Sequence, residues 1–325
     1  MLSRVAESLF WMSRYVERAE NVARFVEVNR DLSLGGLGGT VAQWGPLVKA
    51  SGDEEAFLER YGEPTERSVL DFLIFDEQNL NSIRSCVNAA RENGRMVRET
   101  LSASMWEELN RFYLQVRDAI VDRERILRRP HRFLNDVKSS SHLLLGLKHA
   151  TVSQGEAWNF MRLGSLLERA DKTSRILDVK YYTLLPKPDD VGTHLDAVQW
   201  SALLNSTSAL AMYRRRFGTI VPEQVADFLI LDRAFPRSIY YCVAGAERAL
   251  HDITGVSTDY FSNPAEQHVG KLRYELTFRG IEDIIAEGMH EFVDSVQVRL
   301  NQIGVEIDKA FFARPTHSRV QSQTQ

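Results

Sequence analysis

The sequence predicts an all-α protein, a compact helical bundle whose two halves are related by an approximate two-fold axis. Three observations carry this reading. Apolar residues recur three and four apart over long stretches, period-2 alternation bounded by turn residues is essentially absent, and the second half of the chain repeats the first.

The first helix is predicted over 3–31. Val5, Leu9, Met12, Val16, Ala19, Ala23 and Val26 fall on one face, and Ser3 is placed to cap it. Gly35, Gly36, Gly38 and Gly39 interrupt the pattern before Thr40 opens the next helix. Further helices are expected at 40–50, 54–61, 65–75, 81–99, 103–122, 131–150, 154–183, 196–217, 222–231, 237–253, 264–288 and 289–311. The polar segment 313–325 is expected to be a disordered tail.

The repeat is explicit. Glu17-Arg18-Ala19-Glu20 returns as Glu168-Arg169-Ala170-Asp171, and Gln43-Trp44 returns as Gln199-Trp200. Residues 43–90 and 199–246 align without a gap and share 16 identities, among them Asp71-Phe72-Leu73-Ile74 with Asp227-Phe228-Leu229-Ile230. The register shift between the two matches falls in loops, where insertions are tolerated. Residues 1–150 are therefore read as the first helical repeat and 151–312 as the second.

Composition narrows the function. Hydrophobic residues make up 44% and charged residues 26%, ordinary for a globular protein, and the net charge of −4 gives no bulk field drawing the chain to nucleic acid. No apolar run is long enough to span a membrane, and Glu7 and Arg14 interrupt what would be the core of a signal peptide. Cys86 and Cys242 are too few for a disulfide framework, and each sits in an apolar helical segment where cysteine behaves as a small hydrophobe. The expected location is the cytoplasm.

The first helix and its repeat carry the same charged stripe. At about 100° per residue, Arg24, Asn21, Ser13 and Glu20 all lie within roughly 60° of Glu17, and Arg18 borders the apolar face. Glu168, Arg175, Lys172, Gly164 and Asp171 take the same places in the second copy, with Arg169 at the border. Phe10 and Met161 share this stripe, so it should be packed rather than bathed in water. Two readings stay open. Glu17, Arg18, Glu20, Arg24, Glu168, Arg169, Asp171 and Arg175 form an ion-pair lattice between the related helices, or they form a polar site that binds or transforms a ligand.

A second stripe joins Arg84, Arg91, Arg95 and Arg98 at helical spacing in the first half alone; the partners of Arg84 and Arg91 in the repeat are Tyr240 and Glu247. It is a candidate surface for an anion or an acidic partner. Glu287-Gly288-Met289-His290 has the Glu-x-x-His spacing of di-iron bundles but stands alone, so no metal is expected. The run Leu34-Gly-Gly-Leu-Gly-Gly-Thr40 follows a helix and lacks the Lys-Ser/Thr of a phosphate loop. No cofactor is expected.

The Glu-Arg-Ala-Glu-Asn run of the first helix and the Glu-Arg-Ala-Asp run near mid-chain, with the opening Met1-Leu2-Ser3-Arg4-Val5-Ala6-Glu7 before them and Met105-Trp106-Glu107-Glu108-Leu109-Asn110 and Phe160-Met161-Arg162-Leu163-Gly164 between them, resemble the bacterial Alpha-E family, a predicted α-helical domain with a Glu-Arg motif. The motif falls on Glu17, Arg18, Glu168 and Arg169. What the resemblance implies is a companion of ATP-grasp amide ligases and transglutaminase-like proteins, hence a partner or substrate-presenting component of an amide- or peptide-ligating system. The alternative is a cryptic enzyme acting on a peptide-like or amino-acid-derived substrate at the Glu-Arg stripes. Homo-oligomerisation is left open.

Overall fold

A computed structural model describes residues 1–34, 40–183 and 194–313, and among these there are sixteen α-helices and no strand. They fall into two sets of eight in the same order. The first set is α1 (Ser3–Leu34), α2 (Thr40–Ser51), α3 (Glu54–Tyr61), α4 (Glu66–Ile74), α5 (Ile83–Met96), α6 (Ala103–Ala119), α7 (Arg123–Arg128) and α8 (His131–Thr151). The second is α9 (Glu156–Thr183), α10 (His194–Ser206), α11 (Leu210–Phe217), α12 (Pro222–Ile230), α13 (Ile239–Thr254), α14 (Pro264–Phe278), α15 (Ile281–Glu287) and α16 (Met289–Ile307).

Local chemistry repeats with the order. Ser82 caps α5 by accepting from the Ser85 amide at 3.1 Å, and Ser238 caps α13 by accepting from the Tyr241 amide at 3.0 Å. Both α3 and α11 end at a glycine with positive φ, Gly62 and Gly218. Contacts correspond as well. Helix α1 packs on α5 and α8 as α9 packs on α13 and α16, while α2 crosses to lie on α9 and α10 crosses to lie on α1. The long helices α1 and α9 lie against each other at the centre, and one hydrophobic core runs through both sets.

Several expected boundaries are corrected. The helix expected over 196–217 is two helices, because Ser208 adopts a left-handed φ of 55° between α10 and α11. The helix expected over 264–288 breaks at Gly280, whose extended backbone donates its N–H to Asp283 at 3.1 Å and opens α15. The six-residue α7 was not anticipated; it is held by Arg123, which grips Asp71 of α4. Beyond α5 the chain tightens into a 3-10 turn over Arg98–Thr100, and beyond α16 it widens into a π-helical turn over Asp308–Phe312. The glycine run at 35–39 and, after Ala313, the expected tail lie outside the described residues.

Candidate functional site: a crossed pair of Glu-Arg motifs

Where α1 and α9 cross, Gly164 presses on the backbone of α1. A Cβ at this position would lie 2.3 Å from the Phe10 carbonyl oxygen, so the approach requires glycine. This closeness lets each helix reach its neighbour's motif. Arg169 donates from Nε and Nη2 to the two oxygens of Glu17 at 2.9 and 2.8 Å, and Arg18 donates from Nε and Nη2 to those of Glu168 at 2.6 and 2.9 Å. Each glutamate is thus held in a two-pronged grip by the arginine of the other motif. Glu17 and Glu168 are buried, as the charged stripe led one to expect.

Each centre has a further shell. At Glu17, Arg237 donates to Glu17 at 3.1 Å, to Asn21 at 3.0 Å and to Glu20 at 2.7 Å. Arg24 donates to Glu20 at 2.7 Å within its own helix, and His142 of α8 lies 3.0 Å from the same oxygen. At Glu168, Arg14 adds a third guanidinium N–H at 2.9 Å, and Lys172 lies 3.2 Å from Asp171. Arg175 donates to Asp171 at 3.1 Å, and Arg18 also donates to Asn81, which in turn donates to Asp53. Glu20 with Arg24, and Asp171 with Arg175, are pairs within one helix, four residues apart.

The electrostatics follow from this. Burial pushes the carboxyls of Glu17 and Glu168 up, but Arg169 and Arg237 on one, and Arg18, Arg14 and Lys172 on the other, hold both below the usual carboxylate range, Glu168 well below it. Burial pulls Arg18 and Arg169 down, and their glutamates more than restore them. The neighbouring thiols of Cys86 and Cys242 are pushed up to about 12 by burial, so neither is a ready thiolate.

Sequence reasoning missed Arg14, Arg237, Asn81 and Lys148. Arg237 and Asn81 occupy equivalent places in the aligned repeat, as do Ser165 and Arg14, so these exchanges were the available signal. Lys148 continues the buried stripe Val137, Ser141, Leu144 of α8, a position where lysine is out of character. Its side chain is buried and lies 6.0 Å from the Trp158 ring centroid; no carboxylate oxygen lies within ion-pair distance among the described residues. It faces a cavity of about 40 Å³ beside Glu17 and Glu20, between α1, α6, α8 and α9.

The arginine stripe is less continuous than expected. Arg98 leaves α5 for the 3-10 turn. Arg84 pairs with Glu77, and Arg91 and Arg95 both pair with Glu92. Arg91 also donates to Asn110 at 3.3 Å and lies 4.9 Å from the Tyr113 ring, while Arg98 lies 5.7 Å from the Trp106 ring. The Met105–Asn110 motif thus seats these guanidinium groups. Glu287 and His290 are on different helices, separated by Gly288 at φ 109°; Glu287 pairs with Arg279 and His290 lies 2.5 Å from Asp178. Among the described residues no three His, Cys, Asp or Glu groups gather to hold a metal, and no helix is long and apolar enough to cross a membrane.

A family model for a predicted alpha-helical domain with a conserved ER motif matches residues 1–312. An uncharacterised protein of Mycobacterium bovis and another of Mycobacterium tuberculosis are each 22% identical over 313 residues, covering 88% of this chain and 34% of their own. The chain thus spans about a third of the length of these relatives. No solved structure matches it.

Proposed function

This chain belongs to the Alpha-E family, and from that premise we propose that it is a non-catalytic helical partner, or substrate-presenting component, of a bacterial amide- or peptide-ligating system. Its companions in this reading are an ATP-grasp ligase and a transglutaminase-like protein, and its place is the cytoplasm. The reading takes the two sets of eight helices as products of an internal duplication, with the Glu-Arg motif retained in each copy as the clamp between them.

One observation carries the non-catalytic part. Both motif glutamates have their oxygens engaged by the opposite arginine and are held below the usual carboxylate range. A general acid or base works best with a pKa near the working pH and a free path to the substrate's proton, and these carboxylates have neither. The arginines are equally committed. A clamp of this kind fixes the relative placement of α1 and α9, which a presenting surface needs, more than it adds net stability.

Reconstitution with the cognate ligase and transglutaminase-like protein, omitting one component at a time, tests the proposal. Omission of this chain is expected to abolish or strongly slow ligation, and Glu17→Gln or Arg18→Lys in a folded variant should leave the bond-forming step itself intact. Ligation that proceeds unchanged without the chain overturns the companion role.

A further inference from the structure

The cavity beside Glu17 differs from its surroundings in what lines it. Lys148 enters from α8, the carboxylates of Glu17 and Glu20 stand on one wall, and Met12, Met105, Leu109 and Leu144 supply apolar surface. Half-buried Val16 and Leu145 mark its rim. Its volume of about 40 Å³ has room for about three water-sized groups at roughly 10–15 Å³ each.

Charge around it does not balance. Glu17 and Glu20 are already engaged by Arg169, Arg237 and Arg24. With Lys148, four cationic side chains face two carboxylates. A buried ammonium without a counterion is costly, and water trapped against it neutralises nothing. Burial, and the positive charge of Arg169, push Lys148 down to about 8, so it is still mostly charged at neutral pH.

The other end of the crossing shows what a filled version looks like. Arg14 of α1 occupies the place that Ser165 of α9 takes here, and it satisfies Glu168 directly at 2.9 Å while its guanidinium stacks 5.1 Å from the Trp11 ring. Ser165 is too short to do the same, and its hydroxyl donates instead to the Met161 carbonyl at 3.1 Å.

We propose that this cavity binds the carboxylate head of a small aliphatic ligand, with Lys148 as its counter-charge and the ligand's chain leaving over the rim at Val16 and Leu145. Three heavy atoms of a carboxylate head fit the space. A phosphate is bulkier and brings a second negative charge toward Glu17 and Glu20. The assignment stands apart from the ligase role, because it concerns an intrinsic affinity of the isolated chain.

Titration of the full chain with 13C-labelled acetate, propionate and butyrate, followed by NMR, tests it, with propionamide and inorganic phosphate as parallel probes. Saturable binding of the carboxylates, absent for propionamide, is expected. Lys148→Met should weaken it by roughly 10- to 100-fold, the loss of one charge-assisted contact. Ser165→Arg should abolish it by placing in this cavity the side chain that fills its counterpart. Absence of saturable carboxylate binding to the parent chain overturns the proposal, as does unchanged binding in folded Lys148→Met. Preference for phosphate over the carboxylates overturns the ligand class. None of these outcomes bears on whether ligation requires the chain.

Discussion

The two ends of the α1–α9 crossing use one motif and reach different results. Around Glu168 three cationic groups converge, Arg14 fills the adjoining space, and the carboxylate has no exposed surface. Around Glu17 there are two, Arg169 and Arg237, the latter from the loop before α13, and the place of Arg14 is taken by Ser165, leaving a cavity and a stranded lysine. The shared part, a glutamate in the grip of the opposite arginine, is what positions the helices. The differing part determines whether the end is closed or can admit something. A related pair of sites can therefore divide the labour, one locking the scaffold and one remaining available.

The largest expected effect breaks the closed end. Glu168→Ala leaves Arg18, Arg14 and Lys172 without their carboxylate and should cost about 3–5 kcal/mol in urea unfolding. Glu17→Ala should cost less, since water entering through the cavity can hydrate Arg169. Equal losses would mean the cavity gives no relief and the two ends are energetically alike. Both glutamates titrate below their unfolded value of 4.5, so the stability they supply is present above that pH and is lost as pH falls toward their folded values.

Next comes the open end. Lys148 drops from 10.5 in the unfolded chain to about 8 when folded. Between those values the unfolded chain binds more protons, so stability rises with pH across that window. At pH 7 the buried charge opposes folding by about 3 kcal/mol, and Lys148→Met should recover much of it. That gain should shrink from pH 8 to 10.5 in paired melts of the variant and its parent. A gain that ignores pH would show that packing rather than charge is responsible.

Arg14→Ser should make the closed end resemble the open one. Glu168 keeps Arg18 and Lys172, so the expected loss is about 1.5–3 kcal/mol, one charge-assisted contact, by chemical denaturation. The sharper readout is the Glu168 carboxyl in 13C NMR, which should titrate higher than in the parent. An unmoved titration would show that Arg14 only fills space.

The smallest effect lies away from the crossing. Arg95 is more than half exposed and pairs with Glu92 three residues earlier. Arg95→Glu should shift unfolding by no more than about 0.5 kcal/mol. A collapse of the fold there would mean that the arginine stripe, and not the Glu-Arg crossing alone, organises the first set of helices.

Helicity, the matched stripes and the burial of Glu17 and Glu168 were legible in the sequence because each depends on azimuth along one helix, which residue spacing fixes. The crossing was not, since azimuth cannot say which helix lies opposite; the pairing of Glu17 with Arg169 emerges only once Gly164 lets the two helices touch. Lys148 was hidden for a related reason. A lysine on an amphipathic helix ordinarily reaches water by its flexible stem, and the packing of α8 between α1 and α6 leaves Lys148 little of that route. Ser208 concealed a helix break because nothing about serine announces a left-handed backbone. Its hydroxyl meets the Arg24 guanidinium there, while at the equivalent place Gly52 makes the same turn beside Arg175.

The crossed grip also has a consequence for how the chain is made. Glu17 lies 152 residues from Arg169, and Arg18 lies 150 from Glu168. At roughly 5–20 residues per second of synthesis, α1 waits about 8–30 s on or near the ribosome before its complement exists. During that interval the face later sealed against α9 shows water neighbouring opposite charges around Phe10, a surface less apolar than an unbroken hydrophobic seam. A leucine seam would join α1 to α9 with less electrostatic exactitude, but it would leave the half-made protein sticky for the whole of that delay.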